Sequence, residues 1–167
     1  AQTAILELAD GNPLLAGRLA DGLRPDERNG SRPLPATLRV PGEVTDLYRG
    51  PLSQLDAPSQ QALAVVAADA TGNLAALTDA IHALGLGPAD LERAEGLGLI
   101  EMDAGSIDFV HPLARTAAYQ SFSAPVRRAA HGALADAVGP STPNGILHRV
   151  AAAVGVGLDE AAAHAAD

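Results

Sequence analysis

Apolar residues recur at helical spacing along most of the chain. Leu6 and Leu8, then Leu14, Leu15 and Leu19, predict two helical pieces over residues 3–23, parted at Asp10-Gly11-Asn12-Pro13. Asn12 suits an N-cap and Pro13 the first helical position, where proline forgoes only an N–H that would be unpaired anyway. Residues 24–39 read as a linker, with Pro25, Pro33, Pro35, the turn pair Asn29-Gly30 and six charges. From Gly42 a rough 3.6-residue period resumes through Val44, Leu47, Tyr48, Leu52 and Leu55, disturbed by Pro51. Asp56 caps the next helix, with Pro58 in its first turn and Leu63, Val65 and Val66 inside. Asn73 or Thr71 caps another, whose Leu74, Leu77, Ile81 and Leu84 share one face and which Gly85 stops. Gly87-Pro88 opens a short helix through Leu91 and Ala94, closed by Gly96-Leu97-Gly98.

The period then changes. Residues 99–102 and 107–110 are short β-like runs, and Asp103-Ala104-Gly105-Ser106 joins them as a hairpin turn. His111-Pro112 follows, with helices expected over 113–121 and 124–138. The second of these carries Val126, Ala130, Leu134 and Val138 on one stripe. Residues 140–144 read as a loop, and 146–154 and 159–166 as two further short helices. Three helices followed by a two-stranded wing is the order of a winged helix. The expected architecture is therefore all-α with a small β-hairpin wing, in three parts. Residues 1–39 are helices plus linker, 40–122 the winged helix, and 123–167 helical hairpins that could begin a TPR-like array.

Composition narrows the chemistry. With 47% apolar residues a core is available, but aromatics are 2%, so Ala, Leu and Val must fill it by close helix packing. There is no cysteine, which removes disulfides, thiolate nucleophiles and Cys-ligated zinc. All 11 basic residues are arginine. Without lysine this chain holds no P-loop, Schiff-base lysine or Lys–Ser dyad. The net charge of −9 opposes nucleic-acid binding. The expected third helix of the winged helix carries Asp90, Glu92 and Glu95 against a single Arg93, so a protein-packing role is favoured there over direct DNA binding. No apolar run reaches the length of a membrane span, no Arg-led leader opens the chain, and a cytoplasmic location is expected.

Of the five histidines, His82, His148 and His164 read as ordinary surface or half-buried residues, and His131, beside Arg127 and Arg128, as part of a solvated face. No pair has zinc-enzyme spacing, and no serine sits in a nucleophile elbow. His111 differs in position. It stands where a strand ends and a helix begins, next to unpaired N–H groups and a positive helix end, where a ring can donate to a phosphate or cap the junction.

Several segments, taken in order, resemble one family. Gly11-Asn12-Pro13-Leu14-Leu15-Ala16 is similar to the Gly-x-Pro motif of signal-transducing STAND ATPases. Phe109-Val110-His111-Pro112-Leu113-Ala114-Arg115 resembles the segment ending the winged helix in large LuxR-type, MalT-like actinobacterial regulators. Leu38-Arg39-Val40-Pro41, Ala83-Leu84-Gly85-Leu86, residues 95–100 and Arg127-Arg128-Ala129-Ala130-His131 fit the same pattern. The resemblance implies that Pro13 lies against adenine, that His111 senses a nucleotide phosphate, and that Gly11, Asn12 and Arg115 support them. Pro112 stands where the histidine motif carries an acid, a departure from the pattern that an acid-dependent latch relies on. The resemblance further implies ATP or ADP bound by an intact parent regulator, with none held tightly by this chain. The parent's other domains are the expected partners, with self-association and a small-molecule or protein inducer. On this reading the chain is a regulatory piece and not an enzyme. The alternative is a free-standing helical scaffold, and an enzyme of unassigned type is a weaker third.

Overall fold

The computed structural model describes residues 42–69, 71–103 and 105–164, with the isolated positions 5, 16, 17, 20, 23 and 25; within 42–164 side chains are described from residue 46 to residue 153. The sequence expectations for the other residues of 1–41, including the helices of 3–23, lie outside the described residues. Among those described, the chain is mainly helical with one two-stranded antiparallel hairpin. The elements are α1 (Gly42–Ser53), α2 (Ala57–Ala68), α3 (Leu74–Ala83), α4 (Ala89–Gly96), β1 (Ile100–Met102), β2 (Ile107–Phe109), α5 (Pro112–Ser121), α6 (Ala124–Ala137) and α7 (Pro143–His164).

Local chemistry fixes most of these boundaries. Asp56 Oδ1 accepts the Ser59 N–H at 3.0 Å, which starts α2. Asn73 Oδ1 accepts the N–H groups of Ala75 and Ala76 at 3.1 and 3.3 Å and starts α3. The Thr71 hydroxyl is directed to Asp69 instead. Helices α3 and α4 both end in a Schellman turn closed by a left-handed glycine, Gly85 at φ 75° and Gly98 at φ 68°. In the first, Leu86 N donates to Ile81 O at 3.2 Å and Gly85 N to His82 O at 2.9 Å. In the second, Leu99 N donates to Ala94 O at 3.0 Å and Gly98 N to Glu95 O at 2.8 Å. That turn feeds straight into β1.

In the hairpin Ile100 faces Phe109 and Met102 faces Ile107. The strand period of two buries Ile100 and Ile107 and exposes Glu101 and Asp108. One continuous core holds Leu63 and Val65 of α2, Leu77 of α3, Leu91 of α4, Ile100 of β1 and Leu134 of α6, all essentially inaccessible to water. Phe122, Ala130 and Ala133 belong to the same core, so the 122/123 edge drawn from the sequence falls inside it. Helix α6 packs on α2 and α3, and α7 packs on α6.

One expectation is corrected at the end of the chain. Residues 143–164 form one helix, not two short ones. Gly155 and Gly157 lie inside it, and a glycine within a helix costs only about 1 kcal/mol. The α6–α7 connection is a tight turn. Gly139 adopts φ 93°, Thr142 Oγ1 donates to its carbonyl at 2.8 Å, and the same hydroxyl accepts the Gly145 N–H at 3.0 Å to start α7.

Candidate functional site

The β2–α5 junction carries the two described members of the expected nucleotide site, His111 and Arg115. Gly11, Asn12 and Pro13 lie outside the described residues. His111 is the N-cap of α5, with extended backbone at φ −145°, ψ 138°. Its Nδ1 accepts the Leu113 N–H at 3.0 Å. Pro112 follows at the first helical position, where its fixed φ suits the helix. A neutral imidazole accepting at Nδ1 carries its proton on Nε2, so the ring presents an N–H from that atom. Leu113 N is thus taken by the ring, and Ala114 N donates to His111 O at 2.9 Å. An anion at this helix end would therefore be recognised chiefly by the His111 ring and the helix dipole rather than by several backbone N–H groups.

Arg115, one turn further on, points elsewhere. Its Nε donates to Ala67 O at 3.0 Å, and its Nη2 donates to the Asp69 carbonyl. The guanidinium thereby closes the carboxyl end of α2, a position that also suits a cation in the helix dipole. Burial lowers its pKa, opposed by the carboxylates of Asp69 and Asp108, and arginine stays charged throughout. Asp69 is itself buried, and its carboxylate accepts the Gly72 N–H at 2.8 Å and the Thr71 N–H at 3.1 Å. Gly72 adopts φ 65°, and a Cβ there would stand 3.0 Å from Asp108 Oδ1 on β2. The end of α2, the strand β2 and the first turn of α5 are joined by this group of polar residues. His111 and Arg115 share one helix turn but perform separate tasks: one caps α5 and the other closes α2.

A second polar group begins one turn further along α5, at Tyr119. Tyr119 Oη is 2.8 Å from His131 Nε2, and His131 Nδ1 is 2.8 Å from His148 Nδ1. The chain crosses from α5 through α6 to α7. His131 is only 8% exposed, which corrects the expectation of a solvated face. Its neighbours Arg127 and Arg128 suggested solvent, whereas Ala130 and Leu134 already marked this side of α6 as buried. Arg127 does not lead the face outward; its guanidinium lies 5.5 Å from the Tyr119 ring centroid. Burial above all, then His148 and Arg127, pushes the His131 pKa down to about 4. Burial also lowers that of His148, with Asp69 opposing.

Between α3, α4 and the hairpin is a cavity of about 190 Å³, walled by Leu74, Ile81, Leu91, Met102 and Ile107 with His82 and Asp103 also lining it. Neither His111 nor Arg115 lines it. Sites for drug-sized ligands run to roughly 300–1,000 Å³, so this space suits a single bulky side chain. On α4, Arg93 Nε donates to Gln54 O at 2.6 Å, so the one basic residue of that helix is bound to the α1–α2 connection. Among the described residues no group of three or more His, Asp or Glu could hold a metal ion, and no helix is long and apolar enough to cross a membrane. No protein-family model, no curated protein and no solved structure matches the chain.

Proposed function

We propose that this chain is the regulatory piece of a STAND-type, LuxR-family transcriptional regulator, whose winged helix closes over bound nucleotide to hold the resting state. A longer parent would supply the P-loop and the DNA-binding helix-turn-helix. The observation that carries the reading is His111, seated between the second strand of the wing and the start of α5 with Nδ1 committed to Leu113 N. That arrangement orients the ring and assigns the proton to Nε2, the donor a β-phosphate of ADP requires. The resemblance of residues 109–115 and of Gly11-Asn12-Pro13 to the family's motifs supports the assignment. Pro13 would lie against adenine, with Gly11 and Asn12 shaping that contact. Arg115 serves by position: it ties α5 to the end of α2 and so keeps the His111 end of α5 in place.

In the resting state the His111–phosphate bond favours the closed arrangement. ATP together with a small-molecule or protein inducer favours the open one, a two-state domain rearrangement. The piece itself does no chemistry, and its location is cytoplasmic. A charge-assisted hydrogen bond is worth about 1.5–3 kcal/mol. Its loss in His111→Ala should release transcriptional activity in the parent without inducer. A variant as silent as wild type in a reporter assay, with ADP still bound, speaks against the reading.

A second reading, a helical interaction scaffold, is favoured by the apolar face that α7 exposes through Ile146, Leu147 and Val150. It requires neither Pro13 nor His111. Light scattering decides whether that face self-associates: Leu147→Glu should then shift the chain to monomer.

A further inference from the structure

The contact between α6 and α7 contains two histidines facing each other through the same ring atom. His131 Nδ1 and His148 Nδ1 stand 2.8 Å apart, their ring centroids 5.1 Å apart. A hydrogen bond at that distance needs one nitrogen with a proton and one without. When both rings are neutral, the Tyr119 hydroxyl can donate to His131 Nε2 while His131 Nδ1–H donates to His148 Nδ1. One added proton is also accommodated, because the chain reverses: His148 Nδ1–H donates to His131 Nδ1, and His131 Nε2–H donates to the Tyr119 oxygen. A second proton has no such arrangement. Both Nδ1 atoms then carry hydrogen, two N–H groups point at each other, and two cations share a buried contact. We propose that His131 and His148 form a proton-operated latch, which holds α7 on α6 until both rings are protonated and then releases it.

The surroundings set the direction of the response. From α5, Tyr119 faces His131, and from α6 Arg127 adds positive charge that disfavours a protonated ring. From the end of α2, the Asp69 carboxylate favours protonation of His148, but it is shared with Thr71 and Gly72. Arg149 of α7 lies 4.0 Å from Asp136 of α6 on an exposed edge, where an ion pair contributes little. Burial dominates at both histidines and lowers both pKa values. A group whose folded pKa is depressed in this way binds fewer protons docked than undocked. Docking is therefore fully favoured above the ordinary value of 6.5 and weakens as pH falls toward about 4. This latch does not depend on the nucleotide reading.

The chain has no cysteine, so a pair introduced at the exposed positions Ala129 and Ala153 carries two nitroxide labels without interference. Pulsed EPR on the full chain should give one short, narrow distance at pH 7.5 and a longer, broad one emerging between pH 6.5 and 4. In His148→Gln, which keeps a donor and an acceptor but cannot ionise, the short distance should persist to pH 4.5. An unchanged wild-type distance down to pH 4.5, or the same acid response in His148→Gln, overturns the proposal. Imidazole ¹⁵N shifts of the unsubstituted protein give a readout independent of any variant. Both rings titrating below 6.5, in step with the EPR change, supports the latch; both titrating at the ordinary value contradicts it.

Discussion

Arg115 closes the α2 helix from outside: its Nε donates at 3.0 Å to the carbonyl of Ala67, 48 residues earlier in the chain. A second bond from the same guanidinium reaches the Asp69 carbonyl. These carbonyls would otherwise sit unsatisfied at a half-buried helix end. Arg115→Ala should therefore lower stability by about 2 kcal/mol, the range of hydrogen bonds to a charged group after allowance for partial exposure. Arg115→Lys should recover only part of this, since an ammonium lacks the planar fork that reaches two carbonyls. Urea unfolding of the three proteins checks the order. Equal stability of the lysine variant and wild type would mean that the fork is not what matters.

Gly72 meets two requirements at once, the left-handed φ of 65° and room beside Asp108 Oδ1. In Gly72→Ala the backbone conformation costs about 1–2 kcal/mol by itself. The new methyl would also displace the Asp108 carboxylate. Gly98, with φ 68° and open space around a Cβ, is the matched control. Gly72→Ala should destabilise more than Gly98→Ala in thermal melts.

At Gly145 two effects oppose each other. Alanine in a helix gains about 1 kcal/mol over glycine. A Cβ at Gly145, however, would overlap the carbonyl oxygen of Gly139, which is backbone and cannot swing aside. The overlap should win: Gly145→Ala is expected to cost about 1–3 kcal/mol, the usual penalty of overpacking. Guanidinium melts give the sign directly, and a stabilised variant would show that the turn yields freely.

These sites differ in how far the sequence disclosed them. The caps Asp56 and Asn73, the stops Gly85 and Gly98, and the hairpin were legible because each depends on residues within a few positions of one another. The place of His111 at the start of α5 was legible for the same reason. The targets of Arg115 were not, because backbone carbonyls leave no mark on residue type and lie nearly fifty positions away. The Tyr119–His131–His148 chain stayed hidden behind Arg127 and Arg128, which looked like solvent-facing charge. Helix α7 runs unbroken through residues 155–158, where the sequence pattern suggested a gap between two short helices.

This chain by itself should bind neither ATP nor duplex DNA with useful affinity. It carries no lysine and hence no P-loop, and its net charge is −9. On α4 the acids Asp90, Glu92 and Glu95 surround an Arg93 already bonded to Gln54 O. Calorimetry with ATP should show no micromolar binding. DNA titrations at 50 and 200 mM salt should reveal no salt-dependent complex. A micromolar Kd for ATP, or a slope corresponding to several phosphate contacts, would contradict the account of a piece that borrows its nucleotide contacts from a parent.

The role of His111 turns on separating its cap from its Nε2–H. Asparagine is among the best N-cap residues, so His111→Asn should keep the bond to Leu113 N and most of the stability. His111→Ala should lose about 1 kcal/mol with the cap. Neither retains the imidazole donor. The deciding measurement is the ADP dissociation rate of the proposed longer regulator carrying His111→Asn, with its Tm recorded alongside. Nucleotide sensing predicts release about ten- to a hundredfold faster than wild type at nearly unchanged Tm, the consequence of losing about 1.5–3 kcal/mol from one state. An ADP off-rate equal to wild type in that variant would show that His111 does no more than cap α5.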